Sequence, residues 1–488
     1  MSDLRQHGLS LPRRRAAALA AGLVGLLLIV GGGTLLGQGA SASNSSRLPL
    51  VGRTTTICTT SAPPSGKPAG KTEVFAASIR EAPGRTGSLA AATLKSTPLE
   101  LKLTEPGKGG QLPGATSPVV ISADGSMASA SSAVIIGDVL EGPEVGLKAA
   151  PCLAPGTAHW FSGLGATDAD RTDLILTNPD DAQAQVDLRF YGRGGRVTVP
   201  GSPGIVIRGH ESRTVSLSGL VEAEGALSVS AQVSQGRVTA VAKRMQTSQL
   251  KRAGVDWQIP SASPSTVVVI PGIPEDDGGR QLVVTNPSHT RASVAVQILG
   301  FQGPYDPEGA ASLDIPPEST ATVDLQAGLA GESGSVKLRS NVPVTGSVIS
   351  TSRRSSSGID LAIQSAAVPL IGSGVSALAT SNIADSVLVV SNTGDGDAQV
   401  TFDVLSYDGV TLRTADLVLG PNSTATRRLN SPAPSYVVVR VPDGASVVGG
   451  VVLTQPDRDV AGLATLPLGS PDLSSRAPAT RPDYSVGR

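Results

Sequence analysis

One pattern of hydrophobic and polar positions occurs three times along the chain, at intervals of 108 and 106 residues between Asn178, Asn286 and Asn392. Each copy has an apolar run that ends in Thr or Ser and the asparagine, followed eight residues later by a five-residue stretch of alternating character. The alternating stretches are residues 186–190, 294–298 and 400–404. Successive side chains of a strand point to opposite faces, so each stretch predicts a half-buried β-strand.

Further strand patterns recur at matching distances after each asparagine, with Pro and Gly between them. We therefore predict an all-β chain with three tandem β-sandwiches: module one at 156–255, module two at 265–360 and module three at 375–470. About seven short strands in roughly 100 residues is typical of immunoglobulin and fibronectin III sandwiches. A propeller is the alternative fold, but its blades of about 40–50 residues predict a half-period that the modules lack.

Two regions flank the modules. Residues 48–155 have less regular strand patterns and predict a divergent N-terminal β region, which is either a fourth domain or a set of strands packed onto module one. Residues 471–488 are rich in Pro, Arg and Ser and predict a disordered tail.

The amino terminus predicts a membrane anchor. Residues 16–36 form an uncharged stretch of 21 residues, long enough to cross a bilayer core of about 30 Å as a helix. Four arginines precede it, so residues 1–15 are expected in the cytoplasm and everything beyond the flexible tether at 37–47 outside the plasma membrane. The alternative is a signal peptide cleaved after Ala42, because residues 40–42 resemble a signal-peptidase site.

Composition narrows the possible functions. The net charge of −1 gives no field that would attract nucleic acid, and we expect no nucleic-acid partner. Aromatic residues make up 2% of the chain, so the cores have to be built from Val, Leu, Ile and Ala. Cys58 and Cys152 both follow the membrane segment and predict a disulfide; two free buried thiols are the alternative.

Several of these features together resemble a known group. They are the arginine-flanked anchor, the cysteine pair, the segment 151–155 followed by 159–161, and the repeated Ser/Thr-Asn strand ends. The chain is similar to an actinobacterial family of membrane-anchored secreted proteins with a domain of unknown function. That resemblance implies a place in the cell envelope and carries no activity.

The sequence contains no recognisable catalytic or zinc-binding pattern. The four histidines lack metal-ligand spacing, and we predict no catalytic residues and no cofactor. Acidic residues recur before each repeated asparagine and could bind Ca²⁺ through oxygen ligands, although ordinary turn usage is favoured. These calcium candidates are Asp168, Asp170, Asp276, Asp277 and Asp385.

Aromatic residues recur at the end of each alternating strand, at Tyr191, Phe301 and Tyr407. They could contact a sugar or protein ligand, or they could close the end of a sandwich core, which is favoured. We expect a non-catalytic, membrane-anchored binding or scaffold protein of the cell envelope, a rod of modules with an envelope protein or glycan as partner. Two alternatives stay open: an enzyme or enzyme subunit acting on cell-wall polymer, with its site at 48–155 or between modules, and a mechanical spacer.

Overall fold

A computed structural model describes residues 51–60, 70–80, 86–140, 144–221, 226–248, 251–352, 358–455 and 461–471. They lie in one compact unit, Leu50–Ser475. The predicted cytoplasmic tail, membrane segment and tether lie outside the described residues, as do residues 472–488 of the predicted tail. None of the helices in the described part of the chain is long and apolar enough to cross a membrane.

The described residues are nearly all β, as the alternating patterns predict. The N-terminal sandwich has β1 (Arg53–Cys58), β2 (Gly70–Ser78), β3 (Gly87–Thr93), β4 (Pro98–Leu103), β5 (Gly109–Leu112), β6 (Val119–Gly125), β7 (Ser131–Val139) and β8 (Gly146–Pro151). Module one has β9 (Ala158–Leu164), β10 (Asp170–Asn178), β11 (Ala184–Gly192), β12 (Gly195–Val197), β13 (Ile205–Ile207), β14 (Glu211–Ser216), β15 (Leu227–Gln235), β16 (Thr239–Ser248) and β17 (Lys251–Gln258). Module two has β18 (Ser265–Ile273), β19 (Arg280–Asn286), β20 (Ala292–Gly300), β21 (Gly303–Tyr305), β22 (Ser312–Ile315), β23 (Ser319–Asp324), α1 (Gln326–Leu329), β24 (Gly334–Thr351) and β25 (Leu361–Ser365). Module three has β26 (Ser373–Leu378), β27 (Asp385–Asn392), β28 (Ala398–Ser406), β29 (Thr411–Leu419), β30 (Thr424–Arg428), β31 (Ser435–Arg440), β32 (Val447–Gln455) and β33 (Gly462–Pro467).

All four sandwiches share one order of strands. In the N-terminal sandwich one sheet runs β1-β6-β3-β4 and the other β5-β2-β7-β8, and module three repeats this order with β26–β33. In module one the fourth strand is divided into β12 and β13, and in module two the long β24 serves both sheets. The first strand pairs with the sixth, whereas in the immunoglobulin order it pairs with the second. The N-terminal region therefore has the same strand order as the three modules.

The alternating pattern correctly predicts which side chains face the core. In β11, Val186, Leu188 and Phe190 are buried in the module-one core while Asp187 and Arg189 face away from it. Apolar side chains from both sheets form that core, so the energetic benefit comes from burying one face of each sheet against the other.

The repeated asparagine is a turn residue. Asn178 Oδ1 accepts the backbone N–H of Asp180, and its Nδ2 donates to the carbonyls of Ala182 and Ile207. Asn286 and Asn392 make the same set of bonds in their modules. One side chain thus closes the turn after the second strand and ties that turn to the neighbouring connection.

The predicted disulfide is present between Cys58 and Cys152. It joins the end of the first strand to the residue after the last strand of the N-terminal sandwich. Next to it, Ile57 forms an isolated backbone bridge with Leu153, and the modules have corresponding bridges at Trp160–Ser261, Val269–Ala367 and Val375–Gly469. The disulfide therefore reinforces a contact that the other sandwiches hold without one.

The four sandwiches form a closed ring of contacts and not the extended rod expected from the sequence. Module one packs on module two and module two on module three, and β33 and β26 of module three pack on β8 and β7 of the N-terminal sandwich. One hydrophobic core continues across this last junction, with Phe75 and Leu147 of the N-terminal sandwich beside the core of module three. The apolar face that remains on the N-terminal sandwich is buried only when module three packs against it.

Candidate functional site

The centre of the ring is built from the last strand of each sandwich. β8 lies against β17, β17 against β25, β25 against β33, and β33 against β8. Each of these strands is the edge of its own sheet. Four sheet edges therefore meet, and their inward backbone N–H groups need acceptors that a neighbouring strand does not supply.

Asp360 supplies those acceptors to all four sandwiches. Its Oδ2 accepts the backbone N–H of Leu147 at 2.9 Å and of Leu463 at 3.0 Å. Its Oδ1 accepts the N–H of Leu361 at 3.0 Å and of Val255 at 3.4 Å. The four donors belong to β8, β33, β25 and β17, so a single carboxyl group holds one strand of each sandwich.

Asp256 extends the same arrangement. Its carboxyl oxygens accept the backbone N–H of Ile363 at 2.9 Å and of Ala149 at 3.4 Å. Burial raises the pKa of Asp360 to about 7, against amide bonds that lower it. Burial also raises the pKa of Asp256 well above its usual range, and the nearby charge of Asp360 adds to the effect. A neighbouring like charge disfavours ionisation of both carboxyl groups at once.

Two glycines allow the strands to approach this closely. Gly146 has φ +148°, and a Cβ there would lie 2.5 Å from Asp360 Oδ1. Gly254 has φ +102°, and a Cβ there would lie 2.4 Å from the amide nitrogen of Leu361. Any other residue would push a central strand away from the carboxyl group.

A buried ion network lies between the N-terminal sandwich and module one. Glu144 Oε2 and Oε1 each lie 2.9 Å from an ammonium group, of Lys148 and Lys243 respectively. Burial opposes ionisation of Glu144, but the two lysines hold its pKa below the usual range. Lys148 Nζ also lies 5.2 Å from the centroid of the Trp257 ring. The network favours one orientation of the two sandwiches, because separating Glu144 from Lys243 would leave buried charges without a partner.

A cavity of about 20 Å³ is lined by residues of all four sandwiches, among them Ala149, Trp257, Gln364 and Thr465. Such a volume holds about one water molecule. The Trp257 indole N–H is buried without a hydrogen-bond partner among the described residues. The groups at the centre can therefore bind backbone amides and a water molecule. Their chemical role is to hold the four sandwiches together.

The junction between modules one and two contains a ladder of buried hydroxyl groups. Thr285 Oγ1 lies 2.8 Å from Ser162 Oγ and 2.7 Å from Ser228 Oγ. Thr320 Oγ1 lies 3.0 Å from Ser228 Oγ, so hydroxyls from both modules form one connected chain. Every member is almost fully buried, and each hydroxyl has a partner.

The junction between modules two and three repeats this ladder. Ser335 Oγ lies 2.6 Å from Ser391 Oγ, which lies 2.7 Å from Thr424 Oγ1. Thr424 donates to the carbonyl of Leu299 at 2.6 Å. Ser335 corresponds to Ser228 by strand register. Each serine lies in the sixth strand of its module and pairs with a residue near the end of the third strand.

The ring-closing junction uses the same positions with different side chains. The position of the ladder serine is occupied by Tyr436, which is fully buried and donates its hydroxyl to the carbonyl of Gly107 at 2.8 Å. The paired positions on the facing sandwich are Ala77 and Gly109. A large side chain thus fills the space that two small residues leave open.

Tyr407 adds a second contact at this junction. Its carbonyl accepts the N–H of Gly109 at 2.9 Å, and its ring lies on the same glycine, where a Cβ would be 2.3 Å from Cδ1. Lys108 Nζ donates to the carbonyl of Asp408 at 2.8 Å. The junction is closed by aromatic packing with a few hydrogen bonds around it.

The three predicted aromatic positions have different surroundings. Tyr191 is buried, with its ring centroid 5.9 Å from that of Trp160. Tyr407 packs at the closing junction. Phe301 is 44% exposed, so it is the member of this set whose ring is most open to solvent. The predicted ligand contact stays a prediction for all three residues.

The acidic loops pair mainly with groups of their own module. Asp170 Oδ2 and Asp276 Oδ1 each lie 2.6 Å from an arginine, Arg244 and Arg280 respectively. Asp385 Oδ1 accepts from the amide of Asn430 at 2.7 Å. The side chains of Asp168 and Asp277 lie at the exposed surface of their loops. Within the described ranges, no group of three or more His, Cys, Asp or Glu side chains is placed to hold a metal ion.

Sequence reasoning missed the two central carboxylates. Asp256 and Asp360 lie 104 residues apart, close to the repeat interval, and each follows a glycine and an apolar residue and precedes another apolar residue. An acidic residue inside an apolar strand is the signal that could have identified them, because an unpartnered buried charge is costly.

Residues 107–462 match the model of a family of unknown function, DUF5719. The match covers well over half of the chain, so the chain belongs to this family. No curated protein matches the chain.

Proposed function

We propose that this member of the DUF5719 family is a non-catalytic scaffold or binding protein outside the plasma membrane, held there by residues 16–36. The observation that carries the proposal is the closed ring, in which one carboxyl group, Asp360, binds a strand of each sandwich. Such a joint fixes the outer surfaces relative to one another, which suits a protein that holds partners in a set arrangement. The proposed partners are an envelope protein or a glycan.

Three finer features belong to the same proposal. The sandwiches are related to immunoglobulin and fibronectin III domains despite their different strand pairing. The leading segment is an anchor and not a cleaved signal. The chain belongs with actinobacterial membrane-anchored secreted proteins, whose cysteine pair and repeated asparagines it resembles.

An enzyme acting on cell-wall polymer is the second candidate. The raised pKa values of Asp256 and Asp360 favour it, since catalytic groups often have shifted pKa values. Both carboxyl groups are fully buried, and backbone amides occupy their oxygens. A polymer has no path to them in this arrangement, so the scaffold is preferred.

A mechanical spacer is the third candidate. A spacer gains reach from sandwiches arranged end to end, whereas here module three returns to the N-terminal sandwich. The buried tyrosine and the continuous core at that junction hold module three against the N-terminal sandwich. These contacts close the ring and do not lengthen the molecule.

Photo-cross-linking of the full chain in intact membranes tests the proposal. A photoreactive amino acid replaces Phe301, and the same group at Leu220, which is 40% exposed on module one, serves as the comparison site. We expect a defined envelope protein or glycan to be captured at one site and not the other. If neither site captures a partner, the result would favour the spacer.

A ring-opening variant separates scaffold from enzyme. Gly109→Val introduces a side chain that clashes with the ring of Tyr407. It should abolish specific capture if binding depends on the fixed arrangement of the four sandwiches. In parallel, purified full-length protein is incubated with isolated cell wall. Release of soluble fragments, lost in Asp360→Asn, would establish the enzyme and remove the scaffold proposal.

A further inference from the structure

The fourth strand forms an outer edge in each sandwich, and module three has the longest uninterrupted one. Eight of the nine residues of β29 pair with β28, and Leu412 lies at a register shift between the two strands. No other described strand pairs with the opposite side of β29. The side chains on its exposed face are Leu412, Thr414, Asp416 and Val418. Leu412 is 51% exposed and Val418 73%, so two large apolar side chains lie in solvent along an open edge.

The corresponding edges of the other sandwiches are protected. In the N-terminal sandwich the exposed positions of β4 are Pro98, Glu100 and Lys102. In modules one and two the edge is divided into short strands, β12 with β13 and β21 with β22. Prolines interrupt these edges at Pro200, Pro203, Pro304 and Pro307.

Proteins normally protect open strand edges with proline, charge or interruption, because an open edge can pair with another chain. Three of the four equivalent edges in this chain have such protection. β29 has no proline and a single charge on its exposed face, and it stays one continuous strand through the register shift at Leu412. The difference between copies of one fold indicates an edge that is kept available for pairing.

We propose that β29 pairs with β29 of a second copy of this chain, antiparallel, about a twofold axis perpendicular to the sheet. Such an axis keeps each face of the joined sheet on its own side, so opposed residues must differ by an even number of positions. A register centred on Ala415 meets this requirement and spans the whole of β29.

The side chains of β29 are complementary in that register. Leu412 opposes Val418 of the second copy, twice by symmetry, which covers the two exposed apolar side chains. Thr414 opposes Asp416 in the same way. The Thr414 hydroxyl already donates to Asp403, so this pair adds contact between polar side chains without a new hydrogen bond. Pairs of this kind are the contacts that stabilise neighbouring strands. A nine-residue edge buries less than the roughly 800 Å² per partner of a standard interface, so the dimer should form at micromolar concentration.

Cysteine pairing tests the register. The chain has no cysteine besides the disulfide pair, so Leu412→Cys and Val418→Cys each add one thiol to the full chain. A mixture of the two variants should give a disulfide-linked dimer under mild oxidation, amounting to as much as about half of the dimer population. Each variant alone should give none. Equal cross-linking of a single variant, or none in the mixture at about 100 µM, would overturn the proposal.

Charge substitution tests the interface in solution. Leu412→Lys with Val418→Lys should weaken dimerisation at least tenfold, as light scattering after size exclusion measures it. Val206→Lys is the matched control, since Val206 is 39% exposed on β13, an edge of module one, and should leave the dimer unchanged. A chain that stays monomeric at every concentration up to about 100 µM, or a dimer that both variants leave intact, would contradict the proposal.

Discussion

The junctions between consecutive modules and the junction that closes the ring use equivalent positions with opposite chemistry. Between modules one and two, and between two and three, small hydroxyl residues such as Ser228 and Thr285 form buried ladders. At the closing junction Tyr436 occupies the serine position and faces Ala77 and Gly109. The same architecture is therefore joined by directional hydrogen bonds in two places and by aromatic packing in a third.

The difference follows from how the chain connects the sandwiches. Consecutive modules are joined by short connectors and meet at high effective concentration, so their junction mainly has to set orientation. Tyr436 and Gly107 are separated by 329 positions, and their sandwiches are connected only through the other two. The closing junction needs affinity of its own, which burial of a large aromatic side chain supplies.

The largest effect is expected from Tyr436→Ala. Removing a fully buried tyrosine leaves a cavity and should lower the free energy of unfolding by about 3–5 kcal/mol. Solution scattering should show a larger radius of gyration because the ring opens. Tyr436→Phe is the control: it loses the bond to Gly107 and should keep the ring closed. An unchanged radius for the alanine variant would show that the closing junction does not depend on this residue.

The second effect concerns pH and acts on all four sandwiches alike. The pKa of Asp360 is raised to about 7 in the fold, so the folded chain holds a proton that the unfolded chain releases near pH 4. The contribution of this group is therefore most favourable below pH 4 and declines up to pH 7, by roughly 4 kcal/mol in all. Denaturant titrations at several pH values measure it, and Asp360→Asn should remove this slope. A slope that persists in the asparagine variant would place its origin elsewhere.

A smaller effect is expected at the hydroxyl ladders. Thr285→Val keeps the shape of the side chain and leaves the hydroxyls of Ser162 and Ser228 with fewer partners, which should cost about 1–2 kcal/mol. Thr322→Val on the exposed side of β23 is the matched control and should change little. If both variants unfold at the same denaturant concentration, the ladder does not stabilise the junction.

The smallest effect separates the two tyrosines of the closing junction. The Tyr407 hydroxyl is buried without a hydrogen-bond partner among the described residues, whereas that of Tyr436 is bonded. Tyr407→Phe removes an unsatisfied polar group and should change stability by less than about 1 kcal/mol, in the stabilising direction. Thermal unfolding measures the difference. A clear loss of stability would reveal a partner for this hydroxyl.

Local features of the fold could be predicted from the chain alone. The alternation of residues 186–190 predicted which side chains of β11 face the core, because a strand has a period of two. The repeat predicted equivalent units, the cysteine count predicted the disulfide, and the asparagine before proline predicted a turn. Each of these depends on residues that are near one another in sequence or on a pairing with one possible solution.

The ring and its central joint were decided by the tertiary structure. Asp360 is an ordinary acidic residue in the sequence, and its role exists only because four strands from four sandwiches bring amides to it. Tyr436 corresponds to Ser228 only when the strands are compared by register, 208 residues apart. Sequence periodicity determines which face of a strand is buried, whereas the packing of distant surfaces determines which buried faces meet.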